Sequence, residues 1–229
     1  MSRIHTVIHH RDADTTLAQA QLALACGADG VFLISHSGED AALPALAATL
    51  RARWATARNA QGETPLVGLC LLTYSPGQAM DAATAAGANA LWVGASGIAS
   101  SGLDDTGRAL CEAMRRHPQI AVFAGVAFKY QGEEPDPAAA ARVAASLGML
   151  PTTSGAATGS APALAKIEAM SRAVDARLAV ASGMTVDNVA EFAPLVSDIL
   201  VSTGVSRDAH TLDEGKLRTF VARARALTQ

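Results

Sequence analysis

The chain has 229 residues, half of them hydrophobic, with a net charge of −3 and an aromatic share of 4%. That composition supplies one well-filled core, and the lack of a long basic run removes electrostatic support for nucleic acid or an anionic membrane. Scarce aromatics argue against a base-stacking surface, leaving Ala, Val, Leu and Ile to build the interior.

The opening stretch "MSRIHTVIHHRDAD" has no apolar run long enough for a signal peptide. The longest apolar run, around "IAVFAGVAF", is too short to span a bilayer. Cys26, Cys70 and Cys111 lie far apart in apolar segments, which predicts buried reduced thiols rather than disulfides or a zinc knuckle. The expectation is a soluble cytoplasmic protein without membrane insertion.

In chain order, eight β-rich runs are predicted: Ile4 to His10, Gly30 to Ser35, Pro65 to Tyr74, Ala90 to Ala95, Ile120 to Lys129, Met149 to Ser154, Arg177 to Ser182 and Asp198 to Thr203. A helical stretch follows each. Asp12 and Asp14 are placed to cap the first helix, near Thr15, and Gly27 and Gly87 to end the helices that precede two strands. In "ALAKIEAMSRAVDA", Leu164, Ile167, Met170, Ser171 and Val174 form one stripe, with Lys166 pointing elsewhere. In "GKLRTFVARARAL" the stripe is Leu217, Phe220, Val221, Ala224 and Leu227, with Lys and Arg on the solvated face. Strand-helix alternation implies parallel pairing. Eight units of about 29 residues predict a single-domain (β/α)8 TIM barrel over 1–229. An open doubly wound sheet is the alternative, but no G-x-G-x-x-G follows the first strand.

In such barrels the reactive groups sit at the strand C-termini, and phosphate is commonly held after strands seven and eight. "SGMTVDN" leaves the seventh strand and "STG" ends the eighth. Gly183 and Gly204 let backbone N–H groups approach an anion, and a helix starting near a capping Thr185 would add its positive end. The loop "TTSGAATGSAP" (Thr152 to Pro162), with five hydroxyl side chains, is a candidate lid or further source of donors. In the fifth strand, period-two alternation puts Gly125, Ala127 and Lys129 on the barrel face and Val122, Val126 and Phe128 on the helix face. Lys129 then points inward, where it would meet an anion, stabilise an enolate or form a Schiff base.

His9 and His10 should face opposite ways, and His36 follows the second strand. His36 with Glu39 and Asp40, and His10 with Asp12 and Asp14, are sets that exchange protons or bind metal. No fixed-spacing metal signature occurs, so a divalent metal is left open and no cofactor is indicated. G-x-S-x-G, P-loop and C-x-x-C motifs are all missing, which leaves serine hydrolase, NTPase and thiol redox chemistry without a foothold.

These residues carry a resemblance. "GVAFKYQ", "TTSGAATGSAP", "ASGMTVDNVAEF", "ILVSTGVSRD" and "GADGVFLISH" are similar, in this order along much of the second half and at strand two, to stretches of the BtpA/SgcQ family. The resemblance implies a (β/α)8 barrel of the ribulose-phosphate-binding type, with Lys129, Gly155, Gly159, Ser182, Gly183, Asn188 and Gly204 as site positions. Ser35-His36 stands where the family tends to have Glu-Asn, and "LLTYS" replaces an Arg-Asn pair after the third strand. One branch of that family is linked to photosystem I biogenesis, others to sugar and nucleoside metabolism.

The expected function is an enzyme acting on a small phosphorylated metabolite, a sugar phosphate or nucleoside-related compound, by isomerase, lyase or nucleosidase chemistry. Ser154, Gly155, Gly159, Ser182, Gly183, Asn188, Thr203 and Gly204 are the expected phosphate-binding positions. Lys129, His36 and His9 are the expected catalytic residues. The rival is a non-catalytic barrel serving as a ligand sensor or assembly factor. Self-association is compatible with the Ala-rich helices, but no stripe marks an interface.

Overall fold

The computed structural model describes residues 1–226. Eight parallel strands close into a barrel: β1 (Arg3–His9), β2 (Gly30–Ile34), β3 (Leu66–Cys70), β4 (Ala90–Val93), β5 (Ala121–Gly125), β6 (Leu150–Thr153), β7 (Ala179–Ala181) and β8 (Asp198–Val201). Each strand pairs with its sequence neighbours, and β1 closes the ring by pairing with β8, Arg3 opposite Asp198. Eight helices pack outside: α1 (Ala13–Ala25), α2 (Leu43–Arg53), α3 (Pro76–Ala85), α4 (Asp105–Arg116), α5 (Pro137–Ser146), α6 (Leu164–Ala173), α7 (Val189–Phe192) and α8 (Glu214–Ala226). A two-stranded hairpin, Ile98–Ala99 with Gly102–Leu103, interrupts the alternation before α4. This is the (β/α)8 architecture expected.

Local sequence sets the ends. Asp12 caps α1 by accepting from the Thr15 amide at 2.7 Å, and Ser75 and Gln78 form a capping box at α3. The buried stripe of α6 holds at Ile167, Met170, Ser171 and Val174, but Leu164 at its first position is 38% exposed. Along α8, Leu217, Phe220, Val221 and Ala224 are buried; Leu227 lies outside the described residues. Arg225 departs from the solvated face expected of it. Its Nη2 donates to the Gly27 carbonyl at 2.7 Å and meets both Asp29 oxygens at 3.1 Å. Asp29, 1% exposed, also accepts from the Ile4 amide at 2.8 Å, so a buried carboxylate ties α8 to the barrel base.

Two cores result. Aliphatic residues fill the layer between strands and helices. The barrel interior differs from the aliphatic filling expected, because the few aromatics concentrate there: Phe32, Phe123, Trp92 and Phe128 pack edge to face up the axis. Gly68 makes this possible, since a Cβ on β3 at that point would collide with the Phe32 ring. At the base, His5 is fully buried between Phe32 and Phe123, with Nε2 2.7 Å from Asp198 Oδ1.

Candidate active site

The top of the barrel, where the strands end, opens into a cavity of about 400 Å³. Val7, Ile34, Cys70, Trp92, Phe128 and Leu200 form its floor; His9, His36, Lys129, Ser182, Ser202 and Thr203 are among its polar groups, with Tyr130, Gln131 and Thr158 at the rim. Among the described residues, no Asp or Glu lines it.

Lys129 reaches this cavity by a route that strand parity does not describe. β5 stops at Gly125, and Ala127 adopts a left-handed φ of +46°. The alternation is reset there, so Phe128 as well as Lys129 faces the cavity instead of packing under a helix. Remote contacts hold the kink. The Lys129 amide donates to Ser154 Oγ at 2.8 Å. Lys166, far from being a surface lysine, places Nζ 2.6 Å from the Ala127 carbonyl and 2.9 Å from that of Ser154. Lys129 Nζ itself donates to Ser182 Oγ at 2.9 Å and Thr158 Oγ1 at 3.0 Å. It lies 5.8 and 5.9 Å from the ring centres of Phe128 and Tyr130. Burial lowers its pKa. The half-buried ammonium makes no ion pair with a carboxylate among the described residues.

The two histidines stand beside it, with ring centres 5.0 Å apart. Burial, then His36, His210 and Lys129, push the His9 pKa down to about 4. Burial and Lys129 lower that of His36 too, with Asp40 opposing. Both rings are therefore neutral near pH 7. The consequence for stability has a definite sign. Below the ordinary value of 6.5 the unfolded chain takes up a proton that folded His9 refuses until about pH 4. Stability is thus complete above pH 6.5 and is lost as the pH falls toward 4. Urea unfolding across that window should show the loss in the native protein and a flatter profile in His9→Gln.

The expected histidine–carboxylate sets come apart. His10 faces away from His9 and bonds Thr16 Oγ1 at 2.8 Å, while Asp12 is used as the α1 cap. Glu39 accepts from Ser37, and Asp40 turns to Thr73, 2.6 Å from its amide. Among the described residues, no group of three or more His, Cys, Asp and Glu side chains is arranged to hold a metal ion. The Cys70 thiol at the cavity floor is pushed up to about 12 by burial, which keeps it protonated.

The corners after β7 and β8 meet at one side of the cavity. Ser182 and Gly183 both have left-handed backbones, φ +75° and +74°, and the Ser182 turn brings its hydroxyl to Lys129. The amides of Gly183 and Met184 donate to no described residue. A 3-10 turn, Thr203–Val205, follows β8; its first internal bond runs from the Val205 amide to the Ser202 carbonyl at 2.9 Å, so the Thr203 and Gly204 amides precede it. Thr203 lines the cavity, whereas Gly204, expected there, does not and packs behind it on the Met184 carbonyl. The helix expected from Thr185 is shorter and later: α7 is one turn beginning at Val189. Asn188 does not line the cavity. It braces the corner, with Nδ2 donating to the Gly183 carbonyl and Oδ1 accepting from the Thr185 amide, both at 2.8 Å.

The remaining predicted positions are set back. Ser154 is fully buried behind Lys129, and Gly155 packs on the Ser160 carbonyl. Gly159 is exposed at the loop tip, and from that loop it is Thr158 that lines the cavity. Trp92, Tyr130 and Ser202 were not singled out by sequence. "ALWVGA" looks like any buried strand, and only the inward parity of Trp92 with Ala90 carried a signal.

No protein-family model and no curated protein sequence matches the chain. Solved structures do match across its whole length. A thiamine phosphate pyrophosphorylase from Pyrococcus furiosus has a TM-score of 0.68 at 14% identity, covering 99% of this chain and 97% of that one. A phosphoribosyl anthranilate isomerase from Thermus thermophilus scores 0.67 at 17%, covering 98% and 99%. KGPDC from Streptococcus mutans scores 0.70 at 12%, covering 100% of both. The chain shares their barrel. Two of the three are named for phosphorylated compounds. No helix among the described residues is long and apolar enough to cross a membrane.

Proposed function

We propose that this protein is an enzyme acting on a small phosphorylated metabolite, with the phosphate over the β7 and β8 corners and Lys129 supplying the counter-charge. The observation that carries this reading is a half-buried ammonium that has no anionic partner among the described residues, in a cavity none of their carboxylates lines, where the strands of a barrel end. Such a cation is stabilised when an anion binds. The unpartnered amides of Gly183 and Met184 stand on the same side.

Among the chemistries open to a phosphorylated substrate, the lining favours isomerase or lyase steps over nucleosidase steps. Cleaving a glycosidic bond builds positive charge on the sugar, which carboxylates stabilise, and the cavity lining has none. Removing a proton beside a carbonyl, or breaking a carbon–carbon bond there, builds an oxyanion. Lys129 would hold that oxyanion, and neutral His9 or His36 would carry the proton. Burial is the main cause of the low pKa of both histidines and Lys129 adds to it; a bound phosphate would offset the Lys129 share and leave the burial share in place.

The resemblance to the BtpA/SgcQ family rests on the stretches quoted above and agrees with this assignment in its shared barrel and in Lys129. Three cysteines without disulfides fit a reducing, cytoplasmic setting. An assembly-factor role would be favoured by a lysine tied up in a structural ion pair, which Lys129 is not. The test is to screen phosphorylated aldoses, ketoses and keto acids, together with nucleoside monophosphates and aryl phosphates, for a rise in Tm and, in D2O, for exchange of a carbon-bound proton by NMR. A compound that does both supports the assignment; a panel in which none raises Tm removes it.

A further inference from the structure

The cavity is two-sided, and its second side says what the far end of the ligand is. On the β7–β8 side stand Ser182, Gly183, Ser202 and Thr203. On the β2–β4 side stand Ile34, Cys70, Leu72 and Trp92, with Phe128 beside the indole, the two ring centres 5.9 Å apart; His36 and Gln131 are the polar groups at its rim. A volume of about 400 Å³ is room for roughly a dozen waters, so a phosphate group alone leaves most of it unfilled. A polyhydroxylated chain laid across the β2–β4 side would turn most of its hydroxyls to aliphatic and aromatic walls, with only His36 and Gln131 at the rim to replace the hydrogen bonds lost with water.

Trp92 adds a second, independent observation. It is 8% exposed and lines the cavity, yet its Nε1 hydrogen finds no acceptor among the described residues; the nitrogen itself is closed off from solvent, so a ligand acceptor reaches it only when the indole shifts. Buried indole N–H groups ordinarily have a partner. The other tryptophan obeys this: Trp54 Nε1 donates to Gln21 Oε1 at 3.1 Å. With no carboxylate in the lining, a cationic ring would have no counter-charge. Building on the phosphate assignment above, we infer that the substrate is a phosphate ester whose other end is a flat, uncharged aromatic ring bearing a hydrogen-bond acceptor, seated against Trp92 and Phe128.

The experiment uses the Trp54→Phe background, in which Trp92 is the sole tryptophan. Emission is titrated with uridine 5′-monophosphate, phenyl phosphate, ribose 5-phosphate, inorganic phosphate and uridine. Uridine monophosphate and phenyl phosphate should alter Trp92 emission and bind at least about ten-fold more tightly than ribose 5-phosphate. Trp92→Leu should bring all three to the same affinity. Trp92→Phe, which keeps a ring but removes the N–H, should reduce the advantage of uridine monophosphate more than that of phenyl phosphate. Ribose 5-phosphate binding as tightly as the ring-bearing esters overturns the inference and leaves the phosphate assignment standing. Uridine binding while inorganic phosphate and ribose 5-phosphate do not would do the reverse. Binding by none of the five overturns both, and if Trp92→Leu fails to fold, the affinity ratios in the Trp54→Phe protein decide.

Discussion

Lys129→Met should lower affinity for phosphorylated ligands by about 10- to 100-fold, the range expected when a charge-assisted hydrogen bond is lost. Turnover, measured on whichever substrate the screen supplies, should fall by about 10²- to 10³-fold, because the group proposed to meet the developing oxyanion has gone. The same substitution should raise Tm. Burial lowers the Lys129 pKa, which means that the fold is destabilised by keeping the ammonium charged. Methionine fills similar space against Phe128 without that cost, and each kcal/mol recovered is worth about 2–4 °C in a chain of this length. A structural lysine would show the opposite pairing: lower Tm with ligand affinity unchanged. Calorimetry with and without ligand separates the two.

Gly204→Val should damage both fold and binding. A Cβ at that position would run into the Met184 carbonyl oxygen and come within 3.1 Å of the Thr185 Cα. The clash is with backbone, which cannot step aside as a flexible side chain can. Overpacking of this sort costs about 1–3 kcal/mol, or about 2–12 °C in Tm, and it pries the β7 corner from the β8 corner. Phosphate affinity should fall with it, because the Met184 and Gly204 amides move apart. Gly148→Ala is the matching control. Its φ of +82° strains any side chain, but nothing lies within 4 Å. It should cost about 1–2 kcal/mol and leave phosphate affinity unchanged.

Gly204 also illustrates what the sequence conveyed and what it hid. A small residue at the end of strand eight was legible, and so was the corner it belongs to. Its reason was not: the glycine is required by the close approach of Met184, a contact between residues twenty positions apart. The barrel itself was readable because its signals are local, in the alternation of strand and helix and in caps such as Asp12 and Gly27. That Lys129 points into the barrel mouth was legible, but through parity carried beyond the end of its strand. The left-handed turn at Ala127 that actually aims it depends on Lys166 and Ser154, neither of which marks the kink in sequence. For the same reason Phe128 was assigned to the wrong face. Asn188 was found as a site residue by resemblance, and the structure gives it a supporting place, because its side-chain amide is consumed by the corner it braces. Trp92 escaped notice because an inward-facing aromatic on a barrel strand reads as filling until its indole N–H proves to lack a partner.

The most direct test of the anion site is a titration of 15N-labelled protein with inorganic phosphate at pH 7, following backbone amides and the lysine side chains by NMR. Saturable shifts centred on Gly183, Met184, Thr203 and Gly204, together with Lys129 Nζ, are the predicted result. Shifts that spare these amides, or that appear undiminished in Lys129→Met, would contradict the assignment of phosphate to the β7–β8 corners.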